Sequence, residues 1–182
     1  AAFNDLLRNA LKGDVDGQGR GFLQGDMNQG KMNDMKNGIK GATDQFTNEP
    51  TQQIVYNEAH DNLTLHDKLR NTGFSSSEVK FGQLQSNAIV LTSMGIPFLH
   101  AGTEFLRSKP LPEGGYEHNS YESPDSVNQL RWDRKLQYND VFEYTKALIH
   151  IRKTYPGLRM STKAEINQRF EWLTTTQDAS FK

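Results

Sequence analysis

The sequence predicts an α/β fold in which short parallel strands alternate with helices, and three observations predict it. Two brief apolar segments, Ile54-Val55-Tyr56 and Ile96-Pro97-Phe98-Leu99, read as strands. Helical periodicity fills the interval before the second, over about Ser75 to Met94, and returns over Val141 to Tyr155. The resulting order of strand, loop, helix, strand, long loop, helix is that of β/α units in a parallel sheet. In such folds chemistry collects on the loops after the strands, and here those loops begin at Ala59 and His100.

Phe3 to Lys12 reads as an amphipathic helix with Phe3, Leu6, Leu7, Ala10 and Leu11 on one face. The glycines from Gly13 to Gly25 make a loop. Met27 to Ile39 is a polar surface helix closed near Gly38. Ile54 to Ala59 is the first predicted strand. Ser75-Ser-Ser-Glu78 has the spacing of a capping box and starts the long helix that Gly95 breaks. Ile96 to Leu99 is short enough to be buried on both faces. His100 to about Gln137 is irregular, and loops of that length in a compact domain are usually functional. Pro156 ends the Val141 helix. Beyond Ser161 a short helix and a strand-like Phe170-Glu-Trp172-Leu open a separate unit.

The 182 residues suffice for one domain with a core, yet only 35% are hydrophobic, so loops are long or part of the fold is absent. A formal net charge of −1 with interspersed signs points away from nucleic acid. The absence of cysteine excludes a disulfide scaffold and a thiolate metal site. No run has the roughly 20 apolar residues of a membrane span. The chain opens on Ala1 instead of a methionine, and the natural protein is expected to begin earlier.

The triplet His60-Asp61-Asn62 ends the first predicted strand and places an imidazole and a carboxylate at the mouth of the sheet. There Asp61 can stabilise a developing positive charge and His60 can donate to a substrate hydroxyl. Asp61 and Asn62 can equally cap the next helix. His60, Asp61, His66 and Asp67 mimic a metal set, but helical residues six apart lie roughly 240° apart, and no metal is expected. Asp14-Val-Asp16-Gly-Gln18-Gly-Arg20 resembles the start of a calcium loop, yet Gly25 stands where the bidentate Glu belongs, which favours a turn-rich connection. Asn62-Leu63-Thr64 is a formal glycosylation acceptor discounted for its place beside the mouth. Glu104 and Arg107 can touch substrate, but are rather expected to form an ion pair that holds the second loop.

Four segments in order resemble one family. Tyr56-Asn-Glu-Ala-His-Asp-Asn-Leu-Thr-Leu-His-Asp-Lys-Leu69 is similar to a strand-end motif of the α-amylase family and, within it, of the type I pullulanases. It departs at Asn57, where an apolar residue is usual, and at His66, where Trp is usual. Gly95 to Lys109 is similar to that family's eighth barrel strand and loop. Asn119 to Asp133 is similar to its N-S-Y-x-S-P-D-S-x-N-Q segment, departing at Arg131. Phe3 to Gly25 is similar to the family's segment after the sixth strand.

The resemblance implies a partial (β/α)8 TIM barrel. Residues 1–160 would be the C-terminal portion of its catalytic barrel, and residues 161–182 the start of a C-terminal β-rich domain. It implies a retaining glycoside hydrolase that cleaves α-1,6-glucosidic linkages in pullulan, amylopectin or glycogen. The alternatives are an α-amylase-family enzyme of different linkage specificity and a non-catalytic glucan-binding protein. Asp61 matches the family's third, transition-state-stabilising carboxylate, and His60 matches a hydroxyl ligand. Asn119, Tyr121 and Asp125 match a cleft-lining stretch. The nucleophile and general acid belong to strands that precede Ala1. The implied partner is an α-glucan, with no nucleic acid and no membrane span. No cofactor is implied by these residues; the resemblance leaves calcium open for the full-length family, but these residues do not support it. An extracellular or cell-surface location is favoured over a cytoplasmic one.

Overall fold

The computed structural model describes residues 1–173. Among them, three short strands form one parallel sheet in chain order: β1 (Ala2–Phe3), β2 (Gln53–Val55) and β3 (Ile96–Pro97). Ala2 pairs with Gln53 and Phe3 with Ile54, while Ile54 pairs with Ile96 and Val55 with Pro97. The two strands read from sequence are therefore adjacent and parallel, as expected. Each is shorter than expected: β2 ends at Val55 and β3 at Pro97, beyond which Phe98 N donates a last bond to Val55 O at 2.8 Å. The structure also corrects the burial of β3: Ile96 is 46% exposed, since β3 is an outer strand of the described sheet.

β1 corrects a second expectation. Phe3 fits the apolar face of the following helix by spacing, but Asn4 caps that helix, its Oδ1 accepting from Leu7 N at 2.9 Å. Helix α1 therefore spans Asp5–Lys12, and Phe3 is left to the sheet. The cap residue has a second role. Asn4 Nδ2 donates to Gln53 Oε1 at 2.6 Å, and Gln53 Nε2 donates to Gly38 O at 2.7 Å and Met94 O at 2.8 Å. One fully buried amide in the central strand thus ties both neighbouring strands to the helical layer.

Helix α2 (Gln29–Ile39) packs on α1, with Leu7, Leu11 and Met35 in a shared core. Gly38 permits the close approach, because a Cβ there would lie 2.7 Å from Leu7 Cβ. Helix α3 spans Leu65–Asn71. Helix α4 (Ser76–Thr92) starts at the expected capping box, Ser75 with Glu78. The region read as irregular contains two short helices, α5 (Asp125–Asn128) and α6 (Asp133–Gln137). Helix α7 (Asn139–Thr154) lies along α4. Arg152 of α7 donates to Leu91 O, Ser93 O and Gly95 O at 2.7–2.9 Å, which satisfies the carbonyls left open where α4 ends.

Between the sheet and these helices runs a buried polar seam. Asn57 Nδ2 donates to Ser86 Oγ at 2.8 Å, Asn87 Nδ2 to Thr145 Oγ1 at 3.1 Å, and Gln83 Nε2 to Thr103 Oγ1 at 2.9 Å. This seam accounts for the polar residue at position 57. Helix α8 spans Lys163–Arg169, and Phe170 to Leu173 pairs with no strand among the described residues. Residues 174–182 of the expected C-terminal unit lie outside the described residues.

Candidate functional site

The loop after β2 runs from Tyr56 to Thr64 and is fixed from three sides. Asn62 holds φ at +65°, a left-handed conformation unusual outside glycine. From the glycine-rich loop, Asp16 Oδ2 accepts from Asn62 Nδ2 at 2.7 Å and Oδ1 from Leu63 N at 2.9 Å. From α1, Lys12 Nζ donates to Leu63 O at 3.2 Å. From the loop after β3, Lys109 Nζ donates to Asn62 O at 2.6 Å, to His60 O at 3.2 Å and to Ser120 Oγ at 3.2 Å.

Thr64 ends the loop as the N-cap of α3, its Oγ1 accepting from Asp67 N at 3.1 Å. Asp61 therefore does not cap that helix. The Asn62 amide is held by Asp16 and Thr64 is fully buried, which supports discounting the glycosylation triplet.

On this anchored base the side chains at the tip of the loop stay open. The side chains of His60 and Asp61 are 83% and 73% exposed, with Nε2 3.3 Å from Oδ1. Both border a cleft of about 440 Å³ whose other walls include Phe3, Arg8, Tyr56 and Phe98. The three aromatic rings meet edge to face, with centroids 4.8 Å apart for Phe3–Tyr56 and 5.4 Å for Phe3–Phe98. Tyr56 OH donates to Asp5 Oδ1 at 2.5 Å and accepts from Arg8. Burial and then that bond to Asp5 push the Tyr56 hydroxyl above its ordinary pKa, so it stays protonated.

Beneath the cleft lie buried charges. Burial opposes ionisation of Glu58, but His100 Nδ1 at 3.5 Å, the donated Leu65 N–H and the charge of Lys12 hold its carboxyl below the usual range. Burial lowers the Lys12 ammonium to about 8, partly offset by Glu58. Lys68, also fully buried, pairs with Asp14 and donates to Gly17 O at 2.6 Å. Asp14 and Asp16, the start of the calcium-like motif, are thus occupied with Lys68 and with the Asp61 loop.

The sequence-predicted residues separate into two groups. His60 and Asp61 share the cleft. Asn119, Tyr121 and Asp125 are exposed on the loop from Glu117 to α5, and none of the three borders that cleft among the described residues. The two groups are connected through Ser120, between Asn119 and Tyr121, which shares Lys109 with the Asp61 loop. The expected Glu104–Arg107 ion pair does not form. Glu104 instead accepts from Gly102 N at 3.0 Å, and Arg107 donates to Ala101 O and Asn128 O at 3.0 and 2.9 Å. Glu104 satisfies backbone of its own loop, and Arg107 joins that loop to the end of α5.

Three anchors escaped the sequence reading: Asp16, Asp67 and Lys109. Asp67 accepts from Ser108 Oγ at 2.6 Å, from Lys109 N at 2.7 Å and contacts His66 Nδ1 at 2.9 Å. Arg131 likewise donates to Ser108 O at 3.2 Å and Ser126 O at 2.6 Å, bracing the same loops. The available signal was a Lys and an Asp in otherwise loop-like segments, and only the fold shows what they face.

The arrangement is that of a carboxylate and an imidazole presented, on a preorganised loop, to an aromatic-walled cleft. It can bind a polyhydroxylated ring and stabilise positive charge forming on it. No family model matches the chain. A pullulanase of Bacillus subtilis (strain 168) is 37% identical over 180 residues, covering 94% of this chain. The solved pullulanase of Bacillus acidopullulyticus superposes with a TM-score of 0.85 at 40% identity, covering 92% of this chain and 20% of that one. That of Paenibacillus barengoltzii, solved with maltohexaose and α-cyclodextrin, does so with a TM-score of 0.86 at 40% identity, covering 96% of this chain and 28% of that one. The chain spans 24% of the length of the Bacillus subtilis relative.

Proposed function

We propose that this chain, homologous to type I pullulanases along nearly its whole length, is part of an enzyme that hydrolyses α-1,6-glucosidic linkages in pullulan, amylopectin or glycogen. In this reading residues 1–160 are the C-terminal portion of a (β/α)8 barrel, and residues 161–182 start a β-rich domain. The three parallel strands then correspond to consecutive barrel strands. The observation that carries the reading is the exposed Asp61 carboxylate beside His60 on a loop anchored by Asp16 and Lys109.

A retaining glycosidase needs a general acid on the leaving oxygen and a carboxylate nucleophile on the opposite ring face. Glu58 is unsuited to either, being buried away from the cleft with one carboxylate oxygen committed to Leu65 N. Both groups are assigned to polypeptide outside this chain. Asp61 supplies a third carboxylate, which stabilises the oxocarbenium-like charge of the transition state. His60 donates to a sugar hydroxyl, and Asn119, Tyr121 and Asp125 contact the glucan further along.

The test is release of reducing ends from pullulan by the full-length polypeptide, unaltered and as Asp61→Asn. Loss of one preorganised stabilising group should lower turnover by ~10²-fold or more, with a smaller change in substrate affinity. Near-equal turnover would remove Asp61 from the chemistry.

A further inference from the structure

The turn that carries Asp61 is held by residues that take no part in the chemistry proposed above. We propose that Lys109, with Asp16 opposite it, is a positioning residue that sets the orientation of the Asp61 carboxylate. The inference rests on the role given to Asp61 under Proposed function.

Lys109 is 1% exposed, and a buried ammonium ordinarily requires a carboxylate partner. This one forms no ion pair among the described residues. Its three N–H groups go to three neutral oxygens instead: His60 O, Asn62 O and Ser120 Oγ. His60 O belongs to the peptide that enters Asp61, and Asn62 O lies just beyond it. The charge is thus placed on the backbone on either side of one exposed side chain.

Asp16 acts on the same turn from the other flank, through Asn62 Nδ2 and Leu63 N. Between these two contacts Asn62 keeps its left-handed φ of +65°. Without them, the turn is free to relax to an ordinary conformation, which re-aims the Asp61 Cα–Cβ bond. Neither Lys109 nor Asp16 borders the cleft, so both act through Asp61. The same ammonium binds Ser120, between Asn119 and Tyr121, and so fixes the distance between the two groups of substrate-facing residues.

The experiment uses the full-length polypeptide with pullulan as substrate, comparing Lys109→Met, Asp16→Ala, Asp61→Asn and the two double variants with Asp61→Asn. A carboxylate displaced by an ångström can lose up to about 10²-fold in rate. Each positioning variant should therefore lose about tenfold or more in kcat, with KM within about threefold. Neither should lose turnover further when Asp61 is already Asn, because residues that act through one another are not additive. A folded variant that keeps kcat within about threefold overturns the inference. So does a loss that multiplies with that of Asp61→Asn, the mark of general structural damage. If Lys109→Met does not fold, Asp16→Ala decides, since that side chain is 31% exposed. If Asp61→Asn retains turnover, the reading of Asp61 falls and this inference with it. If only the positioning variants behave as unaltered, the inference alone falls.

Discussion

Asn57 and Ser86 are joined in the core by a 2.8 Å hydrogen bond, Nδ2 donating to Oγ, with both residues fully buried. Removing one member of such a pair costs more than replacing both, because the survivor keeps its desolvation penalty without its partner. Asn57→Val should therefore destabilise by about 1–3 kcal/mol. Asn57→Val combined with Ser86→Ala should recover most of that. Amide hydrogen exchange along α4 and β2 reads the outcome. A double variant no more protected than the single one would mean that the seam is not pairwise.

Gly38 sits one residue before the end of α2. Within a helix, Gly→Ala ordinarily stabilises by about 1 kcal/mol. Here the sign should reverse, since the new Cβ would lie 2.7 Å from Leu7 Cβ and 3.1 Å from Asn4 Nδ2. Overpacking of this kind costs about 1–3 kcal/mol. Gly38→Ala should speed exchange of amides in both α1 and α2, whereas a slower exchange would show that the helices can separate without cost.

Lys12 gives a pH dependence of defined sign. Burial lowers its folded pKa to about 8 from 10.5, so between those values the unfolded chain binds more protons. Stability from this group therefore rises with pH through that window, and the cost of the buried charge is fully present below it. Lys12→Met removes the titration. The melting temperature of the unaltered protein, measured relative to Lys12→Met, should climb between pH 8 and 10.5. A difference that stays flat across the window would mean that Lys12 is not desolvated as its burial implies.

The fold and the site were legible in the sequence to different depths. Periodicity located α1, α4 and α7, and the two apolar segments located β2 and β3 in the right relation. β1 stayed hidden because Phe3 satisfies a helical face as well as a strand, and only the Asn4 cap separates the two. The exposed pair His60 and Asp61 stood out because its motif is local. Lys109 and Asp16 did not, because what they do depends on oxygens and amides far away in sequence, brought close only by the sheet. Glu104 and Arg107 misled for the complementary reason. Their charges suggested a pair, while the backbone groups that claim them, in their own loop and at the end of α5, were invisible in the sequence.

The three-stranded sheet has a kinetic consequence. Its pairs join Ala2 to Gln53 and Ile54 to Ile96, so every ladder contact closes a long stretch of chain, whereas α1, α2, α4 and α7 form from near neighbours. Loop-closure entropy makes such distant parallel pairing slow. During synthesis the pairing of β1 with β2 must wait until Gln53 emerges, and that of β2 with β3 until Ile96 does. The helices should therefore be in place first, with Gln53 closing the assembly when its amide meets Asn4, Gly38 and Met94.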